Sequence, residues 1–156
     1  MILPIVAFGD PVLKKVGKEI DKNYPKLQEL ISSMEETMEH ANGVGLAAPQ
    51  IGLDIRLFII DSRLMMEEGE EHKGIKETFI NAQIIEETGK EWEFEEGCLS
   101  IPDIRENVAR KSNIKIKYLD KNFKEHTKTF DGLTARVIQH EYDHIEGILF
   151  TDHLKP

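Results

Sequence analysis

The sequence predicts an α+β fold, with antiparallel sheets packed around a central helix that bears His140-Glu141-Tyr142-Asp143-His144 and a second helix in the N-terminal half. Three observations lead there. Residues 25–41 carry Leu27, Leu30, Ile31, Met34 and Met38 at spacings of three and four, the period of an amphipathic helix. His140 and His144 stand four apart, on one face of a helix if 132–145 is helical. Between and beside these segments, apolar and charged residues alternate in strand fashion, and Lys121-Asn122 suits a turn between two such runs.

In chain order, Met1–Phe8 reads as an edge strand and Gly9-Asp10-Pro11 as a turn. This apolar stretch is short and lacks a basic leader, so it is not read as a signal peptide, and the cytoplasm is expected. Pro25 suits the first turn of the first helix and Gly43 its exit. Residues 56–61 form a buried strand. Ser62–Glu77 is polar and acidic, with Gly69 and Gly74, and is expected to be a mobile loop. Strands are expected over 78–87, 90–96, 113–120 and 125–130. The second helix runs from Gly132 to about Ile145, with Gly147 as its stop.

A chain of 156 residues fits one domain, 1–156, with a real core. No apolar run approaches the roughly 18–20 residues of a membrane span. A net charge of −9, without a basic cluster carrying interleaved aromatics, argues against nucleic-acid binding. Cys98 is the single cysteine, so no internal disulfide forms; it is a packed thiol, a nucleophile or a metal ligand.

The H-E-x-x-H pattern is a signature of hydrolytic metal sites, in which Glu141 faces metal-held water. Such sites use three protein ligands and leave one position for water. One protease class supplies a third His six residues after the second, but Phe150 stands there; the only Glu beyond His144 is Glu146, too near on the same turn. Asp152 and His153 stay open as ligands. The obvious candidate lies upstream, where Cys98 follows Gly97 and precedes Leu99-Ser100-Ile101-Pro102. A thiolate and two imidazoles suit a borderline divalent metal. Gly43-Val44-Gly45-Leu46-Ala47-Ala48-Pro49-Gln50 reads either as a helix cap with packed turns, or as a groove that Gly45 keeps open while Gln50 aims its amide at a carbonyl.

Taken together, Gly43–Gln50, Glu96–Ser100 and Gln139–His144 resemble the motifs G-Φ-G-Φ-A-A-x-Q, E-G-C-L-S and Q-H-E-x-x-H of the peptide deformylase family, in that family's order. Ile2-Leu3-Pro4, Gly9–Leu13 and the closing Gly147–Leu154 stretch are similar to it as well. The resemblance implies a hydrolase that removes formyl from the N-terminal methionine of new polypeptides, on N-formylmethionyl nascent chains at the ribosome. It implies that Cys98, His140 and His144 bind one divalent ion: Fe²⁺ in the cell, with Zn²⁺, Ni²⁺ or Co²⁺ in isolated protein. Glu141 becomes the general acid/base, and Gln50 with the backbone N–H of Leu99 the holders of the formyl oxygen. For the methionine side chain, Val44 and Leu133 are the expected walls, and the peptide beyond it pairs as a strand near Gly45 and Gly97.

A metallopeptidase and a structural metal-binding domain are the rival readings; the first lacks a downstream ligand and the second a fourth one. Among neighbours, Arg136 is expected to narrow or charge the pocket rim. Asp143 could orient an imidazole, and Arg105 could hold Glu96 or a substrate carbonyl, or equally be a surface residue. Glu95 and Glu96 could equally be strand-edge charges. His40, His72, His126 and His153 are read as surface residues.

Overall fold

Leu27, Ile31, Met34 and Met38 bury one face of helix α1 (Leu27–His40) in the computed structural model, which describes residues 1–149 and 152, and of 101–104 the backbone alone. Of the closing Gly147–Leu154 stretch, Phe150, Thr151, His153 and Leu154 lie outside the described residues. The helix begins two residues later than Pro25, because Lys26 ahead of it takes φ 55°, outside the helical region. Its exit uses Asn42 and not Gly43. Asn42 adopts φ 56° and donates to Glu39 O at 3.1 Å, while Gly43 N–H reaches Met38 O at 2.9 Å. This paired closure satisfies the last carbonyls of the helix.

Strands β1 (Gly45–Ala47), β2 (Leu57–Asp61), β3 (Lys76–Cys98), β4 (Ile101–Leu119) and β5 (Glu125–Asp131) form one antiparallel sheet in chain order. The sequence led us to expect several sheets; among the described residues there is this one. The expected strands 78–87 and 90–96 are a single strand, β3. Register shifts near Ile80, Ile84, Thr88 and Gly97 interrupt its pairing with β4 without ending it. The expected strand 113–120 likewise extends back to Ile101. Residues 105–107 there are charged or polar and exposed, so no alternation announced them.

The sheet separates two cores. Leu46, Leu57 and Ile59 pack with the buried face of α1. Ala47, Phe58 and Ile60, the alternate residues of the same strands, pack with Ala135, Val137 and Ile138 of helix α2 (Gly132–Ile145). Burial on both faces is why β2 reads as a continuous apolar run. Phe79 stacks on Phe58 and meets Tyr118 at a tilt, with ring centroids 4.8 and 4.2 Å away. Helix α2 runs against β1, β2, β4 and β5, which sets its histidine face over the end of β3.

Two further expectations are corrected. Met1–Phe8 is not a strand; Val6 N–H donates to Gln50 O and Phe8 N–H to Ser100 O, tying the segment beside the two turns that carry those residues. The loop expected over Ser62–Glu77 ends earlier, because Lys76 and Glu77 belong to β3. Residues 62–75 hold two single-turn 3₁₀ helices, Ser62–Met65 and Glu71–Lys73, closed at the neck where Ser62 and Ile75 exchange hydrogen bonds. No helix among the described residues is long and apolar enough to cross a membrane.

Candidate metal centre

Cys98 is the last residue of β3, before the two-residue turn Leu99-Ser100. His140 and His144 are one helical turn apart on α2. The fold brings the three together: one ligand atom from each lies within 4.8 Å of the others. Cys98 Sγ is 3.5 Å from His144 Nε2, and the imidazole centroids are 5.4 Å apart. Among the described residues no fourth side chain joins this group, and Asp152 instead accepts the Leu149 N–H. One soft and two borderline donors suit a divalent transition metal, and three protein ligands suit a site that keeps a position open. The buried atoms left over point the same way. Glu141 Oε1 and His144 Nδ1 have no hydrogen-bond partner among the described residues.

A buried charge cluster orients the first histidine. Glu96 accepts from His140 Nδ1 at 2.8 Å and from Arg110 Nη2 at 2.9 Å through Oε1; through Oε2 it accepts from Arg110 Nε at 2.8 Å and from Arg136 Nη1. Arg110 also donates to Asp143 at 2.9 Å. With Nδ1 of neutral His140 carrying the proton, Nε2 carries the lone pair a metal needs. Burial pushes the Glu96 carboxyl up, but the hydrogen bonds from His140 and Arg110 reverse this and hold it well below the usual range. Burial lowers His144 to about 3, helped by the neighbouring His140 charge. Burial also disfavours charge on His140, yet its bonds to Cys98 and Glu96 prevail and raise it to about 10. Metal loading therefore competes with a proton there.

Glu141 lies against β1. A Cβ added at Gly45 would sit 2.6 Å from Glu141 Oε2, so only glycine admits the carboxylate. Burial raises this carboxyl to about 7. Gln50 belongs to the 3₁₀ turn Ala48–Ile51. Its Oε1 accepts the Ala47 N–H at 3.0 Å, which turns Nε2 toward Cys98 Sγ and Ser100 Oγ, each at 3.4 Å. A cavity of about 670 Å³ opens here. Cys98, His140, Glu141 and Gln50 line its polar end; Val44, Gly45, Gly97, Leu99 and Leu133 line it too.

The neighbours meet the expectations unevenly. Arg136 lines the cavity as expected but from a buried position: it is 2% exposed, bound to Glu96 and to the Trp92 and Val108 carbonyls, with its guanidinium carbon 4.5 Å from the Trp92 ring centroid. Arg105 takes the surface role, exposed and holding Glu95 and not Glu96, at 2.7 Å. His126 is not a bare surface residue; it bonds Asp120 at 2.8 Å and stacks on Tyr118. His40 and His72 are exposed, as read. Glu96 and Arg110 were missed as a pair because charged residues in a polar stretch look solvated; the one hint was the placement of Glu96 two residues before Cys98.

The polypeptide deformylase family model matches residues 2–156. The chain belongs to that family. Peptide deformylase of Christiangramia forsetii is 60% identical, over 99% of this chain and 82% of that protein. That of Flavobacterium johnsoniae is 59% identical, over 97% and 81%. Among solved structures, peptide deformylase from Thermotoga maritima superposes with a TM-score of 0.87 at 38% identity, covering 100% of this chain and 99% of that one. A Met-Ala-Ser-bound class I type b peptide deformylase from Acinetobacter baumannii gives 0.88 at 33% identity, covering 99% of each. This deformylase is thus a metal-binding hydrolase of protein biosynthesis that acts on the N-formyl group of new polypeptides.

Proposed function

We propose that Cys98, His140 and His144 hold one divalent ion, and that Glu141, Gln50 and the Leu99 N–H perform deformylation around it, within a single catalytic domain spanning 1–156. The observation that carries this reading is the convergence of the three donor atoms within 4.8 Å beside a buried, partly unpartnered Glu141. When bound, the ion supplies an activated water and polarises the formyl oxygen. Glu141 would accept the proton of the attacking water as it adds to the formyl carbon. Gln50 Nε2 and the Leu99 N–H donate to the oxygen as negative charge develops on it. Glu141 then delivers its proton to the departing amine, and formate and a free N-terminus leave. Burial raises the Glu141 carboxyl in the metal-free protein, which favours its holding a proton between the two transfers.

Val44 and Leu133 take the methionine side chain, and the peptide beyond it pairs as an added strand at Gly45 and Gly97. The ion in the cell is Fe²⁺; Zn²⁺, Ni²⁺ or Co²⁺ can replace it in isolated protein, since this donor set admits all four. Substrates are N-formylmethionyl nascent chains met at the ribosome in the cytoplasm, without direct nucleic-acid binding or membrane contact. A peptidase role finds no support in the donor set, which draws its third ligand from β3.

Formate release from a formyl-Met peptide, beside its unformylated twin and a chelator control, tests the whole reading. Formate appears from the first alone and stops with chelator; cleavage of the unformylated peptide would identify a peptidase instead. Glu141→Ala binds metal without turnover, whereas Cys98→Ala loses most bound metal.

A further inference from the structure

We propose that Met65 is a wall of the pocket that receives the substrate's N-terminal side chain, and that a clasp between Ser62 and Thr134 holds it there. The 62–75 excursion then sets which side chains this enzyme takes. The inference rests on the deformylase reading of the site.

The excursion leaves β2 at Asp61 and returns at Lys76. Its two ends are pressed together. Ser62 N–H donates to Ile75 O at 2.9 Å, and Ile75 N–H returns a bond to Ser62 Oγ at 3.0 Å. A Cβ at Gly74 would lie 2.5 Å from Arg63 Cα, so the backbones touch. Asp61 caps the first turn, accepting from the Arg63 N–H at 3.2 Å and from its guanidinium at 2.8 and 2.9 Å.

The clasp also reaches the catalytic helix. Ser62, fully buried, shares a 2.8 Å hydrogen bond with Thr134 Oγ1 in the first turn of α2. Thr134 directly follows Leu133, an apolar residue of the cavity wall. Met65 ends the 3₁₀ turn that Ser62 begins, packs on the main core beside Val44, and lines the cavity with Val44, Leu133 and Val137. Its neighbour Leu64 faces solvent, at 67% exposed. An unbranched thioether adapts its shape to a flexible apolar partner. A methionine side chain on the substrate is such a partner.

The test compares steady-state deformylation of a formyl-Met tripeptide and its formyl-Phe twin by metal-loaded enzyme. Loss of a binding contact that does not change in the transition state raises KM and spares kcat. Met65→Ala should raise KM for the formyl-Met peptide about tenfold, leave kcat within about twofold, and shrink the preference for Met over Phe. Met65→Leu should restore most of the loss, Ser62→Ala should fall between, and Leu64→Ala should match wild type. An unchanged KM and preference in Met65→Ala, with wild type releasing formate, would overturn the proposal and leave the deformylase reading intact. A fall in kcat of the same size as the change in KM, unrescued by leucine, would also overturn it. Absence of formate from wild type would instead bring down the underlying reading.

Discussion

Gly45 and Glu141 depend on each other. The carboxylate occupies the space a side chain at position 45 would need, so Gly45→Ala should displace Glu141 without unfolding the sheet, because the glycine lies in a short strand without left-handed backbone. A drop in deformylation of about a hundredfold or more, with metal content and thermal midpoint nearly unchanged, is the expected result; the kinetic assay run beside metal analysis checks it. Glu141 also carries a pH signature. Its folded carboxyl is raised from 4.5 to about 7 by burial, so the folded state binds the proton more tightly than the unfolded one. That contribution to stability is complete below pH 4.5 and disappears as pH rises through about 7. In chelator-treated protein, wild type should therefore lose about 3 kcal/mol relative to Glu141→Gln across that interval. Parallel denaturant titrations at several pH values read the difference, and equal slopes for both proteins would refute it. At this scale the ligands were legible because two histidines at helical spacing and a lone cysteine leave few alternatives. Glu96, Arg110 and Arg136 were not, since nothing in a run of charges tells which carboxylate will be buried under two guanidiniums until β3, β4 and α2 meet.

Among the elements, the ends of α2 matter most, since its register sets both histidines. Gly147 closes the helix at φ +72°, with Ile148 N–H on Asp143 O at 2.9 Å, and a Cβ there would come within 2.6 Å of Lys14 O. Gly147→Ala meets both a backbone and a steric penalty, so a loss of about 2 kcal/mol or more is expected, read as a lower denaturant midpoint with unchanged slope. Here the sequence pointed to the right residue, because glycine after a helical run has a specific physical use. At α1 the same rule misled: Asn42 also tolerates the left-handed region and took the closing position ahead of Gly43. The strands show a second limit. Alternation marks a strand only where one face is buried, so 113–119 was legible, while the polar half of β4 and the continuity of β3 through its bulges came from pairing across the hairpin.

For the molecule as a whole, the metal links fold and activity. A ligand that binds only the folded protein stabilises it by about 2.7 kcal/mol at a hundredfold excess over its Kd. Chelation should then lower the thermal midpoint by roughly 5–10 °C for a chain of this size, and readded metal should restore it; Cys98→Ala should show neither change. The α+β class and the order of the three motifs were legible from the chain alone, because each motif is a short contiguous run of chemistry-bearing residues. The distances that make them one site depend on how β1, β3 and α2 meet, which no local pattern encodes. X-ray absorption at the metal of zinc-loaded wild-type protein tests the arrangement most directly. One sulfur at about 2.3 Å, two imidazole nitrogens at about 2.0–2.1 Å and a remaining oxygen donor are the expected shell. A shell without sulfur, or one closed by a fourth protein side chain, would contradict the assignment of Cys98, His140 and His144 to a hydrolytic centre.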